Sequence, residues 1–225
     1  MALRGRWWKR PVSVFRGRGA AAVVVAALLL AGSGRARTAG AEDLRLSEFL
    51  AGPARDWTGD GVTDARGDEW IEVVNTGAAP LELAAFRLAD ADSTIRFAFS
   101  GTLLPGAYLL VTGQQAVDWQ RSQGRSATGL SLNNAGDTVR LFRVSEVDTV
   151  QIDAKVYNSI EGASDRSAGR LDPALDSWSL YDALNPYNGA GEPKGTGCPP
   201  TPGVPNGCTT GTRRTTWGVI KDLYR

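Results

Sequence analysis

The chain has 225 residues, of which 42% are hydrophobic and 22% charged, and it contains no histidine. This hydrophobic fraction is ordinary for a folded protein and excludes wholesale disorder. The lack of histidine excludes a Ser-His-Asp triad, a Cys-His dyad and a His-ligated zinc site. Eight of the 25 Lys and Arg residues lie in residues 1–41, which contain no acid, so residues 42–225 carry a net charge of −7. Such an acidic body argues against nucleic acid as a partner, because nucleic-acid affinity depends largely on neutralising phosphates.

Residues 1–41 have the pattern of a secretory signal peptide. A basic stretch over 1–18 precedes an apolar run over 19–31, and small residues follow at Ala39-Gly40-Ala41. The apolar run is shorter than the roughly 20 residues that a helix needs to cross a bilayer core. We therefore expect cleavage before Glu42, no transmembrane helix afterwards, and a periplasmic, cell-surface or extracellular location. An uncleaved signal anchor is the alternative.

The two cysteines, Cys198 and Cys208, bracket a segment rich in Pro and Gly. A closely spaced pair in an exported chain favours a disulfide over a metal site. Two thiolates cannot complete a tetrahedral zinc shell, and the chain has no histidine to help. The sequence therefore predicts a local Cys198–Cys208 disulfide.

Short apolar runs between turn residues predict one all-β domain over residues 42–208. Seven or eight short strands at such spacing are typical of an antiparallel β-sandwich. Residues 130–143 predict two strands around an Asn-Ala-Gly-Asp tip, and residues 114–123 could form a helical turn. The other predicted strands cover residues 44–50, 70–75, 81–88, 95–99, 107–112 and, as the last strand, 149–157. The large apolar residues expected in the core are Trp70, Phe86, Leu88, Phe97 and Leu109.

Several segments, in this order, make the chain resemble the lamin-tail domain family, here of the bacterial exported type. They are LRLSEFLA (44–51), DEWIEVVNTGAAPLELAAFRLAD (68–90), FSGTLLPGAYLLV (99–111), LSLNNAGDTVRLF (130–142) and TPGVPN (201–206). The resemblance implies an immunoglobulin-like sandwich. It also implies an adaptor role, because bacterial members are often attached to secreted nucleases or phosphatases and to surface proteins. This chain has no such catalytic partner, which weakens an enzymatic inference.

The acidic loop over residues 56–68 is a candidate calcium site. Asp56, Asp60, Asp64 and Asp68 recur at short spacing, and Gly61 falls at the sharp turn of a calcium-loop pattern. The final position of that pattern, however, is Gly67 rather than a bidentate Glu. A solvated hairpin without an ion is the alternative. No other metal or cofactor is expected.

Two further patterns carry little functional information. The tripeptide Arg66-Gly67-Asp68 matches one that adhesion receptors bind, but matches of this length are common by chance. Hydrolysis by two carboxylates needs a cleft that positions both groups. No spacing selects such a pair among the many aspartates, which include Asp148, Asp153, Asp165 and Asp172.

Residues 209–225 form a short C-terminal tail that can present an apolar helical face. That face would carry Trp217, Ile220 and Tyr224, with Leu223 beside it. A helix of this length is too short to be stable alone. The tail is therefore expected to dock on its own sandwich, on a partner or on the cell envelope.

The sequence favours an exported, non-catalytic β-sandwich module that binds a protein or a cell-envelope component. The alternative is an unrecognised metal-dependent hydrolase of phosphoesters or glycans that uses the acidic 56–68 loop. A purely structural envelope protein is a third interpretation, which the sequence does not separate from the first.

Overall fold

The computed structural model describes residue 40 and residues 43–208. This part of the chain forms eleven strands and one helix. In chain order they are β1 (Leu44–Leu50), β2 (Trp70–Asn75), β3 (Leu81–Glu82), β4 (Phe86–Ala89), β5 (Ile95–Ala98), β6 (Thr102–Leu103), β7 (Tyr108–Thr112), α1 (Gly113–Ser122), β8 (Gly136–Val144), β9 (Thr149–Asn158), β10 (Ser167–Arg170) and β11 (Trp178–Tyr181). Between residues 43 and 208, no helix has the length and apolar character needed to span a membrane.

The strands form two main antiparallel sheets of an immunoglobulin-like β-sandwich. One sheet has five strands in the order β11-β10-β1-β2-β7, and the other has four in the order β5-β4-β8-β9. The short strands β3 and β6 pair separately. Strands β1 and β2 are almost wholly buried, which places them at the centre of the five-stranded sheet.

Successive side chains of a strand point to opposite faces of its sheet, and the inward-facing side chains of both sheets form a single core. The core includes Phe49 of β1, Ile71 of β2, Leu88 of β4 and Leu141 of β8, each at most 2% exposed. Full burial of a side chain of this size contributes about 1.5–3 kcal/mol. The core therefore holds the two sheets together and leaves their outer faces for other contacts.

The expected all-β architecture is confirmed, and most predicted strands form. The strand predicted over 149–157 forms as β9, and the helical turn predicted over 114–123 is the helix α1. Its N-cap, Thr112, accepts a hydrogen bond from the Gln115 N–H, while the Gln115 side chain accepts one from the Thr112 N–H. This reciprocal pair fixes where the helix begins. Of the predicted core residues, Trp70, Phe86 and Leu88 are buried, whereas Phe97 and Leu109 are partly buried.

Three details of the predicted strands were wrong. The strand over 81–88 is broken where the Phe86 N–H donates to the Leu83 carbonyl, which separates β3 from β4. Residues 130–143 supply one strand rather than two, because only β8 forms there. The strand at 149–157 is not the last, since β10 and β11 follow it. Strand β10 escapes prediction because its sequence, Ser-Ala-Gly-Arg, has no apolar alternation although all four residues are buried.

Candidate functional site

Three motifs of the sequence meet at a buried polar cluster on the outer face of the five-stranded sheet. Glu48 of β1 lies directly opposite Glu72 of β2 in the strand register. Their neighbours Phe49 and Ile71 face the core, so the two carboxyl groups point away from it. Residues 201–206, which we call the closing segment, cover both carboxyl groups through hydrogen bonds. The sheet thus carries two acidic side chains that the chain itself covers.

The carboxyl group of Glu48 is held by groups from two distant segments. The Ser167 hydroxyl donates to Oε1, and the Thr201 hydroxyl lies 2.7 Å from Oε2. That same hydroxyl lies 2.9 Å from Oδ1 of Asn206, yet it has one hydrogen to donate. Both contacts form when Glu48 is protonated and donates to Thr201. Burial raises the pKa of Glu48, which favours this protonated form.

Glu72 is the less satisfied member of the pair. The Gly203 N–H donates to its Oε2, whereas Oε1 has no hydrogen-bond partner among the described residues. Burial raises the pKa of Glu72 from 4.5 to about 7. A buried carboxylate oxygen without a hydrogen-bond partner is costly when the group is charged. Glu72 therefore keeps its proton at pH values well above those at which a glutamate ordinarily loses it.

The closing segment is anchored at its other end by Asn206. Its side-chain amide donates to the backbone carbonyls of Ser47 at 3.0 Å and Arg170 at 2.9 Å. Gly169 makes room for this amide, because a Cβ there would lie 2.7 Å from Asn206 Nδ2. A side chain at position 169 would therefore displace the closing segment.

A buried ion pair lies beside this cluster. The guanidinium of Arg170 contacts both oxygens of Asp153, with Nη2 at 2.9 Å from Oδ1. Their side chains are 1% and 4% exposed. Trp178 covers the guanidinium with its ring centroid 4.6 Å away. The ion pair joins β9 of one sheet to β10 of the other.

These buried acids suit a structural role better than catalysis. Glu48 is 1% exposed and Glu72 is 0% exposed, so a substrate in solution cannot reach either carboxyl group. General acid–base catalysis requires a side chain within hydrogen-bond reach of the reacting group. The pair instead fixes the closing segment to the sheet.

The aspartates of the predicted calcium loop bind the backbone of their own loop. Asp56 accepts hydrogen bonds from the N–H groups of Gly59 and Gly61, among others. Asp60 accepts from Val62, and Asp64 accepts from Arg66.

No group of three or more acidic or cysteine side chains suited to a metal ion occurs in the part of the chain that the structure describes. The hydrogen bonds that Asp56 and Asp64 accept from the N–H groups of their own loop lower the pKa of both side chains. These hydrogen bonds form without a cation. Calcium binding by this loop stays a prediction, as does the metal-dependent hydrolase that would use it.

Asp68 differs from the other loop aspartates because it is 1% exposed. Its carboxylate accepts hydrogen bonds from the N–H groups of Trp57, Thr58 and Asp64. A receptor that binds the Arg66-Gly67-Asp68 tripeptide would need this carboxylate at the surface. The burial of Asp68 therefore argues against such recognition.

The four other aspartates singled out in the sequence serve separate local contacts. Asp153 pairs with Arg170, and Asp165 pairs with Arg55 at 3.0 Å. Asp148 and Asp172 accept hydrogen bonds from nearby backbone N–H groups. The structure does not bring these carboxylates together as a catalytic pair.

The predicted disulfide between Cys198 and Cys208 forms, with the two Cα atoms 5.2 Å apart. It encloses the closing segment, whose Thr201 and Asn206 contact the sheet. In the chain-entropy model, a loop of this size restricts the unfolded chain by about 2.5–3 kcal/mol. The covalent link and the buried carboxyl groups thus hold the same segment in place.

An open groove of about 660 Å³ runs along the outer edge of β9. We call it the edge groove. Its first wall is the strand itself from Ala154 to Asn158, and Trp178 with Asp176 lies on the other side. No strand within residues 43–208 pairs with β9 on this side, since β9 is the last strand of its sheet. Val156 is 71% exposed at the groove.

Sequence reasoning missed both the carboxyl pair and the edge groove. The sequence did hold a signal for the first, because one acidic residue interrupts each of the apolar strands LSEFL and WIEVV. Two predictions lie outside the described residues. One is the signal peptide, of which the structure describes residue 40 alone, and the other is the set of tail contacts Trp217, Ile220, Leu223 and Tyr224.

Comparison with known proteins identifies the family. The family model described as Lamin Tail Domain matches residues 37–158 of the chain. This match spans more than half of the 225 residues and covers strands β1 to β9 with α1. No curated protein and no solved structure matches the chain.

Proposed function

Because the chain belongs to the lamin tail domain family, we propose that it is an exported, non-catalytic module that binds a protein or a cell-envelope component. The pattern of residues 1–41 supports export, and the Cys198–Cys208 disulfide is compatible with an oxidising compartment. The buried carboxyl pair supports a non-catalytic role, because its hydrogen bonds hold the closing segment.

The observation that carries the proposal is the free edge of β9. This strand is ten residues long and the last of its sheet, and its residues Ala154 to Asn158 line the edge groove. An unpaired strand edge offers N–H and C=O groups to an extended segment of another chain. We infer that a partner protein adds such a segment to the four-stranded sheet.

The side chains around the edge groove suit a segment with apolar residues. Val156 on β9 is 71% exposed, and the half-buried Trp178 faces the groove. The charged residues nearby are largely neutralised by partners in this chain, such as Lys155 by Glu161 at 2.6 Å. Alternate apolar side chains of the added segment would therefore supply specificity. The tail residues Trp217, Ile220, Leu223 and Tyr224 are a further candidate contact with the partner or the envelope.

Photo-crosslinking in cells tests the proposed edge. A photoreactive residue in place of Val156 is expected to give one adduct of defined mass. The same residue in place of Val147, which is 94% exposed in the β8–β9 hairpin, serves as the control and is expected to give none. Equal labelling from both positions, or no adduct from position 156, would contradict strand addition at β9.

A further inference from the structure

A second groove lies on the outer face of the four-stranded sheet, at the C-terminal end of α1. It has a volume of about 440 Å³, and we call it the helix groove. The sheet contributes Arg87, Ile95 and Ala98 to its lining, and the helix end contributes Trp119, Gln123 and Arg125. No acidic residue lines it. The groove is therefore both cationic and aromatic.

The arginines around the helix groove stand out on an acidic protein because their charges are not neutralised. Arg87 and Arg125 take part in no ion pair within residues 43–208. The same holds for Arg140 and Arg143 on β8, the strand next to β4. By contrast, Arg121 one turn earlier on α1 pairs with Asp118 at 3.6 Å.

The strand register places the arginines close to one another. Arg87 on β4 lies opposite Phe142 on β8, so Arg140, two positions along β8, lies on the same face as Arg87. The core residues Leu88 and Leu141 alternate with Arg87 and Arg140, which assigns those two arginines to the outer face. The Nε atom of Arg140 is buried and has no hydrogen-bond partner among the described residues.

The two arginines of the groove are positioned before any ligand arrives. Both hydrogen bonds of Arg87 use Nη1, which donates to the carbonyls of Ala84 and Phe86 and leaves Nε and Nη2 for a ligand. The Arg125 guanidinium lies 5.3 Å from the centroid of the Trp119 ring. A planar guanidinium can bind a carboxylate with two parallel hydrogen bonds.

We propose that the helix groove binds an acidic polysaccharide, with Arg87 and Arg125 binding its carboxylates and Trp119 contacting a sugar ring. The acidic remainder of the protein disfavours a densely charged polyanion such as DNA, whose binding requires many neutralised phosphates. A chain with one carboxylate per sugar needs few cations. This inference rests on the proposed export for the choice of polymer, because exported proteins meet such polysaccharides.

Binding of polygalacturonate to the purified protein without the predicted signal peptide of residues 1–41 tests this proposal, with neutral dextran and duplex DNA as comparison ligands. We expect measurable affinity for polygalacturonate that falls with added salt, and no binding to dextran or DNA. The double variant Arg87→Gln/Arg125→Gln is expected to weaken binding by at least about tenfold, because charge-assisted hydrogen bonds are lost.

Arg121→Gln is the matched control, since Arg121 lies in the last turn of α1, four residues before Arg125, and is paired with Asp118. It is expected to leave the affinity within about twofold. Arg125 is exposed, so the single variant Arg125→Gln is expected to keep the fold. Weaker binding by this variant would therefore reflect the lost guanidinium and not a misfolded protein. Lack of polygalacturonate binding, equal binding to DNA, or unchanged affinity in the arginine variants would overturn the proposal. The assay uses no cells, so failure of the predicted export would leave its result valid.

Discussion

Replacing Arg170 by Met is expected to lower the free energy of unfolding by about 3–5 kcal/mol, because it leaves the buried Asp153 without its main partner. Arg170 contacts both oxygens of Asp153 and packs beneath Trp178. The weaker contact from Arg45 Nε, at 3.3 Å, remains and places the loss toward the lower end of that range. Urea denaturation followed by tryptophan fluorescence measures the change.

Two further variants separate the ion pair from simple packing. Asp153→Asn combined with Arg170→Met should cost less than the sum of the single changes, because the buried carboxylate charge is removed together with its main partner. Arg121→Met removes an exposed ion pair with Asp118 and should change stability by less than about 0.5 kcal/mol. A loss below about 1 kcal/mol in Arg170→Met would show that the buried pair does not support the fold.

Stability is expected to fall as the pH rises from 5 to 8, because buried carboxyl groups must give up their protons. Burial raises the pKa of Glu69 to about 8 and that of Glu72 to about 7 from an ordinary 4.5. An unfolded glutamate loses its proton near pH 4.5, whereas Glu69 and Glu72 of the folded protein keep theirs up to about pH 8 and pH 7. Over this pH range the folded protein binds more protons than the unfolded chain, so its free energy of unfolding decreases as the pH rises. We expect a total decrease of roughly 6 kcal/mol between pH 5 and pH 8, since one pKa unit corresponds to about 1.4 kcal/mol.

Glutamine variants test which side chains cause this pH dependence. Glu69→Gln and Glu72→Gln keep neutral side chains at both positions and should each flatten the profile between pH 5 and pH 8. Glu146→Gln changes an exposed residue of the β8–β9 hairpin and should leave the profile as it is. Equal or greater stability of the unmodified protein at pH 8 would contradict the raised pKa values.

Local sequence signals predict part of this fold. Apolar runs bounded by turn residues predict strands β1, β2 and β7. The segment that forms the capped helix α1 lacks the polar–apolar alternation of a strand, and a helical turn is predicted there. Strands β10 and β11 are not predicted, because β10 is fixed by pairing with β1 and by the closing segment, and β11 by pairing with β10. The partner of β10 is distant in the sequence and β11 depends in turn on β10, so no local pattern predicts either strand.

The candidate binding sites depend even more on distant contacts. The helix groove joins Arg87 to Arg125 only because α1 packs beside β5, and the edge groove places Trp178 beside β9. Neither juxtaposition follows from spacing along the chain. The carboxyl pair was closer to being predictable, since Glu48 and Glu72 interrupt apolar strands. Their opposite register, however, depends on the β-bulge between Leu46 and Glu48.

Fractionation of the cells that make this protein, with mass spectrometry of its N-terminus, tests the proposed exported module most directly. We expect the protein in the periplasm, the envelope or the medium, without residues 1–41 and with Cys198 joined to Cys208. An intact chain that begins at Met1 and remains in the cytoplasm, with both cysteines reduced, would contradict export. Binding to an envelope component or to another exported protein would then no longer be its function.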